Sequence, residues 1–336
     1  MKIRRYALAA ALMILLSLCG CQKREPSEVL YERFLERKTE FFLPAEDCND
    51  AFAKMFAAHP EQLIHLDTVS IKQSTFGFKI TLEYANTEMD ADAVLCGSED
   101  EVALASLEKT LENLESSGMM VIAGGADPKV EEYTDRLAEK NYLATMGVKS
   151  TQWQLITNDF TKDVVVQYTL EYDAPTDLVH SYRKAVAERV KALPEELWTE
   201  DTPPEGRVRA IHDYLIQNTR YTDGKTETMV DHTPYGPLLK GRGVCDGYTY
   251  AANLLLNAAG IENYIVIGTA DGEGHSWNMV KLGEQYYHLD ITWDDPVDAT
   301  GKQHLTYDYY LKSDADFLSD HVWEYDKFPD CKKSYN

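Results

Sequence analysis

The chain has 336 residues, 44% hydrophobic and 11% aromatic, with 33 Lys and Arg against 56 Asp and Glu, for a formal net charge of −23. That length accommodates two domains with proper cores, and the apolar and aromatic content excludes a mainly disordered protein. The acidic balance, with no basic or aromatic-interleaved patch, argues against nucleic acid as a partner and is read as a solvated surface.

Lys2, Arg4 and Arg5 precede an uncharged apolar run from Tyr6 to Leu18. The run is too short for a comfortable membrane span and has the form of a secretory signal over residues 1–20. Leu18-Cys19-Gly20-Cys21 closes it with lipobox-like spacing, which predicts cleavage before Cys21 and a diacylglyceryl group on its sulfur. A plain signal peptide or a short anchor helix is the alternative. Cleavage removes three of the cationic residues and no acid, which moves the net charge from −23 to −26. Residues 21–27 then form a polar tether, and the expected location is lipid-anchored on the extracytoplasmic face of a bacterial cell membrane. Disulfides are allowed there. Cys48 with Cys96 is the favoured pair because both fall in one N-terminal domain, against three free thiols that include Cys331.

Residues 28–41 show helical spacing, 48–58 read as a second helix before Pro60, and 63–71 and 76–84 read as paired strands with a turn near Thr75-Phe76-Gly77. Residues 99–117 predict an amphipathic helix burying Val102, Leu104, Leu107, Leu111 and Leu114. A strand at 121–123, a Gly124-Gly125 turn, a helix over 128–140 and paired strands at 152–156 and 164–172 follow. Ile80-Thr81-Leu82-Glu83-Tyr84 resembles Tyr168-Thr169-Leu170-Glu171-Tyr172 at a spacing of 88 residues. Residues 28–200 are therefore read as an α+β N-terminal domain. A duplication with a boundary near 100–120 is one account of the echo, and coincident strand composition is the other. A helix over 176–193 carries Val179, Tyr182, Val186 and Val190 on one stripe; Thr202-Pro203-Pro204 marks a boundary, and a domain over 201–336 opens with a helix over 207–217.

That second domain holds the chemistry. Cys245 follows a Gly-rich turn and opens an apolar, helix-forming run that stops at Gly260, so the thiol sits at a helix N-terminus, where the dipole favours thiolate. His275 and Asp290 lie on predicted strands 275–282 and 285–293, separated by Gly283-Glu284. A type II′ turn there puts Leu282 opposite Gln285, Trp277 opposite Asp290 and His275 opposite Thr292. His275 and Asp290 thereby become diagonal neighbours on one face, within reach of a side-chain hydrogen bond. A loop one residue longer would put them on opposite faces. Taken singly, a Cys at a helix start is usually a small hydrophobe and a strand His or Asp finds a local partner. Ordered Cys, His and Asp together favour a nucleophilic site.

Asp290, Asp294, Asp295 and Asp298 invite calcium, but their spacing matches no EF-type loop, and no Cys or His pair has zinc spacing, so no metal is expected. Gly268, Gly272 and Gly274 precede a strand, which argues against a nucleotide loop. His212, His232, His304 and His321 are read as surface or core residues, with His321 near Trp323 a candidate cleft wall.

The segments Gly243–Ile261, Gly274–Val280 and Tyr286–Pro296 resemble the core of bacterial transglutaminase-like domains, which share the papain-like cysteine fold; the likeness runs from Val208 to Trp323. It implies a C-terminal α+β domain in which a Cys-bearing helix packs on an antiparallel sheet bearing His and Asp. It also implies that Cys245 is the nucleophile, His275 the general base and Asp290 the residue that orients it. Trp277 and Trp293 are expected at the cleft, together with Tyr286 and Tyr287 around His275 and Asp290, and Tyr235 is a candidate oxyanion-side residue from its place before Cys245. The expected function is a cysteine enzyme acting on amide or peptide bonds of a protein or peptide, cell-wall peptide included, with no cofactor. A non-catalytic surface binding or assembly module of the same fold is the alternative.

Overall fold

The computed structural model describes residues 24–85, 94–125, 127–222 and 224–335. The expected signal and Cys21 lie outside the described residues. Among those residues no helix is long and apolar enough to cross a membrane. The chain divides into two compact units. One runs to Ser106 and adds Gly118–Pro128 and Trp153–Tyr168; the other comprises Leu107–Ser117, Lys129–Gln152 and the chain from Thr169 onward.

The first unit contains helix α1 (Pro26–Leu35), strand β1 (Glu40–Leu43), helix α2 (Cys48–Ala58) and strands β2 (Leu66–Ser74) and β3 (Gly77–Tyr84). The sheet order is β1-β3-β2, antiparallel throughout. Leu30, Phe34, Phe52 and Phe56 are buried against Ile80 and Leu82. The expected helix over 28–41 stops at Leu35, because Arg37 takes φ 53° and the chain turns into β1. Cys48 and Cys96 are free thiols, each pushed up to about 11 chiefly by burial, so the favoured disulfide is not formed.

Strands β4 (Leu95–Gly97), β5 (Ser117–Ile122), β6 (Val148–Thr157) and β7 (Val164–Tyr172) form a sheet of order β4-β5-β7-β6. Helix α3 (Glu99–Glu112) joins β4 to β5, and α4 (Tyr133–Thr145) precedes β6. Helix α3 is shorter than expected: Leu114 takes φ 55° and Ser117 already opens β5. The two echoing segments are inner strands, β3 and β7, but their sheets differ, since β4 and β5 pair in parallel.

The second unit adds α5 (Thr176–Leu197), α6 (Pro204–Asn218), the paired strands β8 (Arg220–Tyr221) and β9 (Arg242–Gly243), and α7 (Cys245–Ala258). Then come β10 (Asn263–Ala270), β11 (Glu273–Leu282), β12 (Gln285–Leu289), β13 (Tyr310–Lys312), the short helix α8 (Asp314–Phe317) and β14 (His321–Trp323). The last five strands form one antiparallel sheet, β13-β12-β11-β10-β14. Ala251, Leu255 and Leu256 of α7 share a core with Val280 and Leu289 of the sheet, Val208 and Ile211 of α6, and Val186 and Leu193 of α5. The expected boundary at Thr202-Pro203-Pro204 is thus corrected: α5 runs on through Pro194, and its apolar stripe belongs to this core. The C-terminal region is a mixed helix and sheet fold in which the helix opened by Cys245 shares a core with the antiparallel sheet that carries His275.

Candidate active site

Three close approaches seat Cys245, two to the Asp231 backbone and one to the Pro237 ring. The Val244 N–H donates to the Asp231 carbonyl at 3.0 Å, and Asp231, fully buried, is gripped by Arg242 at 2.6 and 2.7 Å and caps its own turn with Thr228. A Cβ on Gly247 would stand 2.3 Å from that same Asp231 carbonyl, and one on Gly243 would stand 2.8 Å from Pro237. Both glycines are therefore required by clearance. Val244 is the N-cap and offers no side-chain acceptor to the first turn. Helix geometry leaves the first-turn amides without partners inside the helix, and Cys245 opens that turn.

The hairpin has the predicted register: Leu282 pairs with Gln285 and Asn278 with Leu289. Gly283 takes φ 61°, the left-handed value a type II′ turn needs at its first position. Ser276 and Asn278 point to α7, where the Asn278 amide donates to the Thr249 carbonyl and the Ser276 hydroxyl donates to Asp246. His275 and Trp277 occupy the other face. Strand β12 ends at Leu289, four residues before the expected end, and Asp290 begins a turn in which its own carboxylate takes the Trp293 N–H at 3.1 Å.

His275 Nε2 lies 2.7 Å from Asp290 Oδ2, with His275 9% exposed and Asp290 0%. Burial alone would lower the imidazole, but the bonds to Asp290 and then to Cys245 outweigh it and raise His275 to about 10. Burial likewise opposes the Asp290 charge, and the hydrogen bonds from His275 and His321 outweigh it, so Asp290 is held below the usual carboxylate range. Since Nε2 is committed to Asp290, Nδ1 is the nitrogen left for Cys245. Cys245 Sγ lies 3.9 Å from Asp246 Oδ1, and Asp246 also receives His232 Nδ1 at 3.0 Å.

Trp277 is 1% exposed, so it offers no surface to a substrate and the cleft expectation for it is corrected. It stacks behind His275 at 5.9 Å and donates its indole N–H to His288 Nδ1 at 2.9 Å. His288 Nε2 must then carry the proton it gives to Asp314 at 2.9 Å, and burial holds His288 down to about 4. Trp293 is half-buried beside the site, 5.9 Å from the His275 ring and 4.7 Å from His321. Tyr235 packs on Tyr182 and Lys240, and no contact with the triad is seen among the described residues. Tyr286 donates to Glu262 and Tyr287 packs on Tyr335, which engages both elsewhere than around His275 and Asp290.

Among the described residues two buried trios bring ligand-type atoms within 4.8 Å, His275-Asp290-His321 and His288-Asp314-Cys331. In the first trio both histidines meet Asp290 Oδ2; in the second His288 Nε2 meets Asp314 Oδ1, and Asp314 Oδ2 accepts the Cys331 backbone N–H. The four aspartates of the calcium idea are consumed separately. Asp294 meets His212 and the Tyr309 amide, Asp295 meets Tyr248, and Asp298 meets His304 and Thr300.

Of two further residues at the site, His321 is expected only as a cleft wall and Tyr221 is not expected at all. His321 reaches Asp290 from 31 residues away. Tyr221, opposite Gly243 in the β8-β9 pair, has its hydroxyl pushed up to about 12 by burial and then by the charges of Cys245, Glu227, Asp246 and Asp290. The cue for His321 was its nearness to Trp323; for Tyr221 there was none.

Residues 191–291 match the transglutaminase-like superfamily. A curated relative, kyphoscoliosis peptidase of Mus musculus, is 28% identical over 145 residues, which cover 38% of this chain and 21% of the mouse protein, so the match spans about a fifth of that relative. Similar solved structures include a TGase (12% identity, TM-score 0.29, covering 57% of this chain and 54% of that one). The periplasmic domain of TgpA from Pseudomonas aeruginosa, bound to ethylmercury, is 18% identical with TM-score 0.28, covering 40% of this chain and 55% of that one.

Proposed function

From a chain that carries a transglutaminase-like domain, we propose a cysteine enzyme that acts on amide or peptide bonds of proteins or peptides, anchored outside the cytoplasmic membrane through lipidated Cys21. The observation that carries the reading is His275, bonded at 2.7 Å to a buried Asp290 and raised to about 10 by Asp290 and then by Cys245. The Cys245 thiolate attacks the amide carbonyl while His275, as the imidazolium, partners it. First-turn amides of α7 stabilise the oxyanion, at roughly 3 kcal/mol per donor in comparable sites. As the tetrahedral adduct collapses, the C–N bond breaks and His275 gives its proton to the leaving nitrogen. A thioester on Cys245 remains. Water, activated by the now neutral His275, or an amine releases the acyl group and restores the thiolate.

Hydrolysis is the preferred outcome. Water at about 55 M competes with any amine, so transfer needs a shaped, dry approach, and of the four aromatics expected to build one only Trp293 stands half-open beside His275. The test is incubation with a Gln-containing protein, with and without a labelled primary amine. Ammonia release that depends on Cys245 and exceeds amine incorporation is expected. Amine incorporation that outpaces ammonia release would overturn the preference for hydrolysis.

A further inference from the structure

Asp290 is held by two histidines. His321 Nε2 lies 3.2 Å from Asp290 Oδ2, the oxygen that His275 Nε2 reaches at 2.7 Å, while Oδ1 takes the Trp293 amide. On its far side His321 Nδ1 faces Asp320 Oδ1 at 2.6 Å, and the Tyr309 hydroxyl donates to Asp320 Oδ2 at 2.8 Å. His321 is fully buried, packed on Trp293, Trp277 and Phe317. An imidazole facing a carboxylate on each side has its plane fixed, and only a ring carrying both N–H groups donates to the two carboxylates at once. The backbone is fitted to the same end: Ala270 pairs with His321, and Gly268 lets β14 approach so closely that a Cβ there would stand 2.2 Å from the Val322 carbonyl.

The Asp290 carboxylate accepts from the Trp293 amide, from His275 and from His321. The third donor shares the very oxygen that engages His275, so its direction decides where that oxygen points. We propose that His321 is a positioning residue for the triad: it donates to Asp290 Oδ2 and fixes the carboxylate rotamer that orients His275, with Asp320 and Tyr309 fixing His321 in turn. The proposal rests on the triad reading above.

The test measures iodoacetamide alkylation of Cys245 against pH, read by peptide mass spectrometry, in the full chain and in four variants: His321→Leu, His321→Gln, Asp320→Asn and His275→Ala. A folded His321→Leu protein should alkylate at least about tenfold more slowly at neutral pH with a changed pH profile, as second-partner losses do elsewhere. His321→Gln, whose amide N–H can reach the same oxygen, should recover the rate to within about threefold. Wild-type rate and profile in His321→Leu, with His275→Ala slowed, would overturn this proposal and leave the triad standing. A His275→Ala protein at the wild-type rate would sink the triad and this proposal together. Equal slowing in His321→Leu and His321→Gln would also overturn it, because donation would then not matter. Should His321→Leu fail to fold, Asp320→Asn and His321→Gln decide: slowing in the first with recovery in the second supports the proposal, and any other pattern contradicts it.

Discussion

At the scale of single residues, His275 sets a pH window. Its folded value of about 10 stands above the ordinary imidazole value near 6.5. The folded state therefore binds a proton that the unfolded state has lost between those values. The stability this contributes is fully present below about 6.5 and is lost as pH rises through about 10. Asp290→Asn removes the carboxylate charge, so the His275 imidazole, followed by NMR, should titrate below about 10 with circular dichroism unchanged. The same variant should cut turnover by at least about a hundredfold, because the ring loses its orienting partner. An unshifted midpoint would mean that Asp290 does not charge His275. The Cys, His and Asp were legible because local rules place each one: a helix start, a two-residue turn and a strand register. His321 was not legible, since it reaches Asp290 only through the β10-β14 pairing, across 31 residues that no local rule folds.

At the scale of elements, the sheet is positioned by clearance as much as by pattern. Gly268→Ala would set a methyl group 2.2 Å from the Val322 carbonyl, on a backbone that cannot yield as a side chain can. We expect a loss of about 1–3 kcal/mol, typical of overpacking, measured by urea unfolding. Unchanged stability would mean that β14 shifts freely. Trp277→Phe removes the indole N–H and leaves the buried His288 Nδ1 without its donor. That should cost about 1–3 kcal/mol, and a neutral result would deny the Trp277-His288-Asp314 chain its structural role. The β11-β12 hairpin was legible because Gly283 fixes its turn and a period-two pattern fixes its faces. The end of β12 and the switch from α1 to β1 were not, because each is decided by a turn or a positive φ that composition does not announce.

At the scale of the whole molecule, the helix expected over 176–193 runs to Leu197 and packs in the C-terminal core, since Pro194 and Thr202-Pro203-Pro204 read as breaks while the burial of Val186 and Leu193 is a tertiary fact. The N-terminal reading concerns location. Cys21→Ala should move the protein from the membrane fraction to the soluble fraction, and full membrane retention with an uncleaved wild-type precursor would support an anchor helix instead. The central claim is that one thiol in the mature chain is an activated nucleophile. Cys48 and Cys96 are pushed up to about 11 by burial, and Cys331 is 1% exposed, so all three should react slowly. The most direct measurement is a timed iodoacetamide reaction at pH 6.5 on the native protein, with each cysteine quantified by peptide mass spectrometry. The account predicts that Cys245 is alkylated well before the others and faster than free cysteine, and that His275→Ala abolishes the advantage. Alkylation of Cys245 no faster than free cysteine, unchanged in His275→Ala, would contradict it.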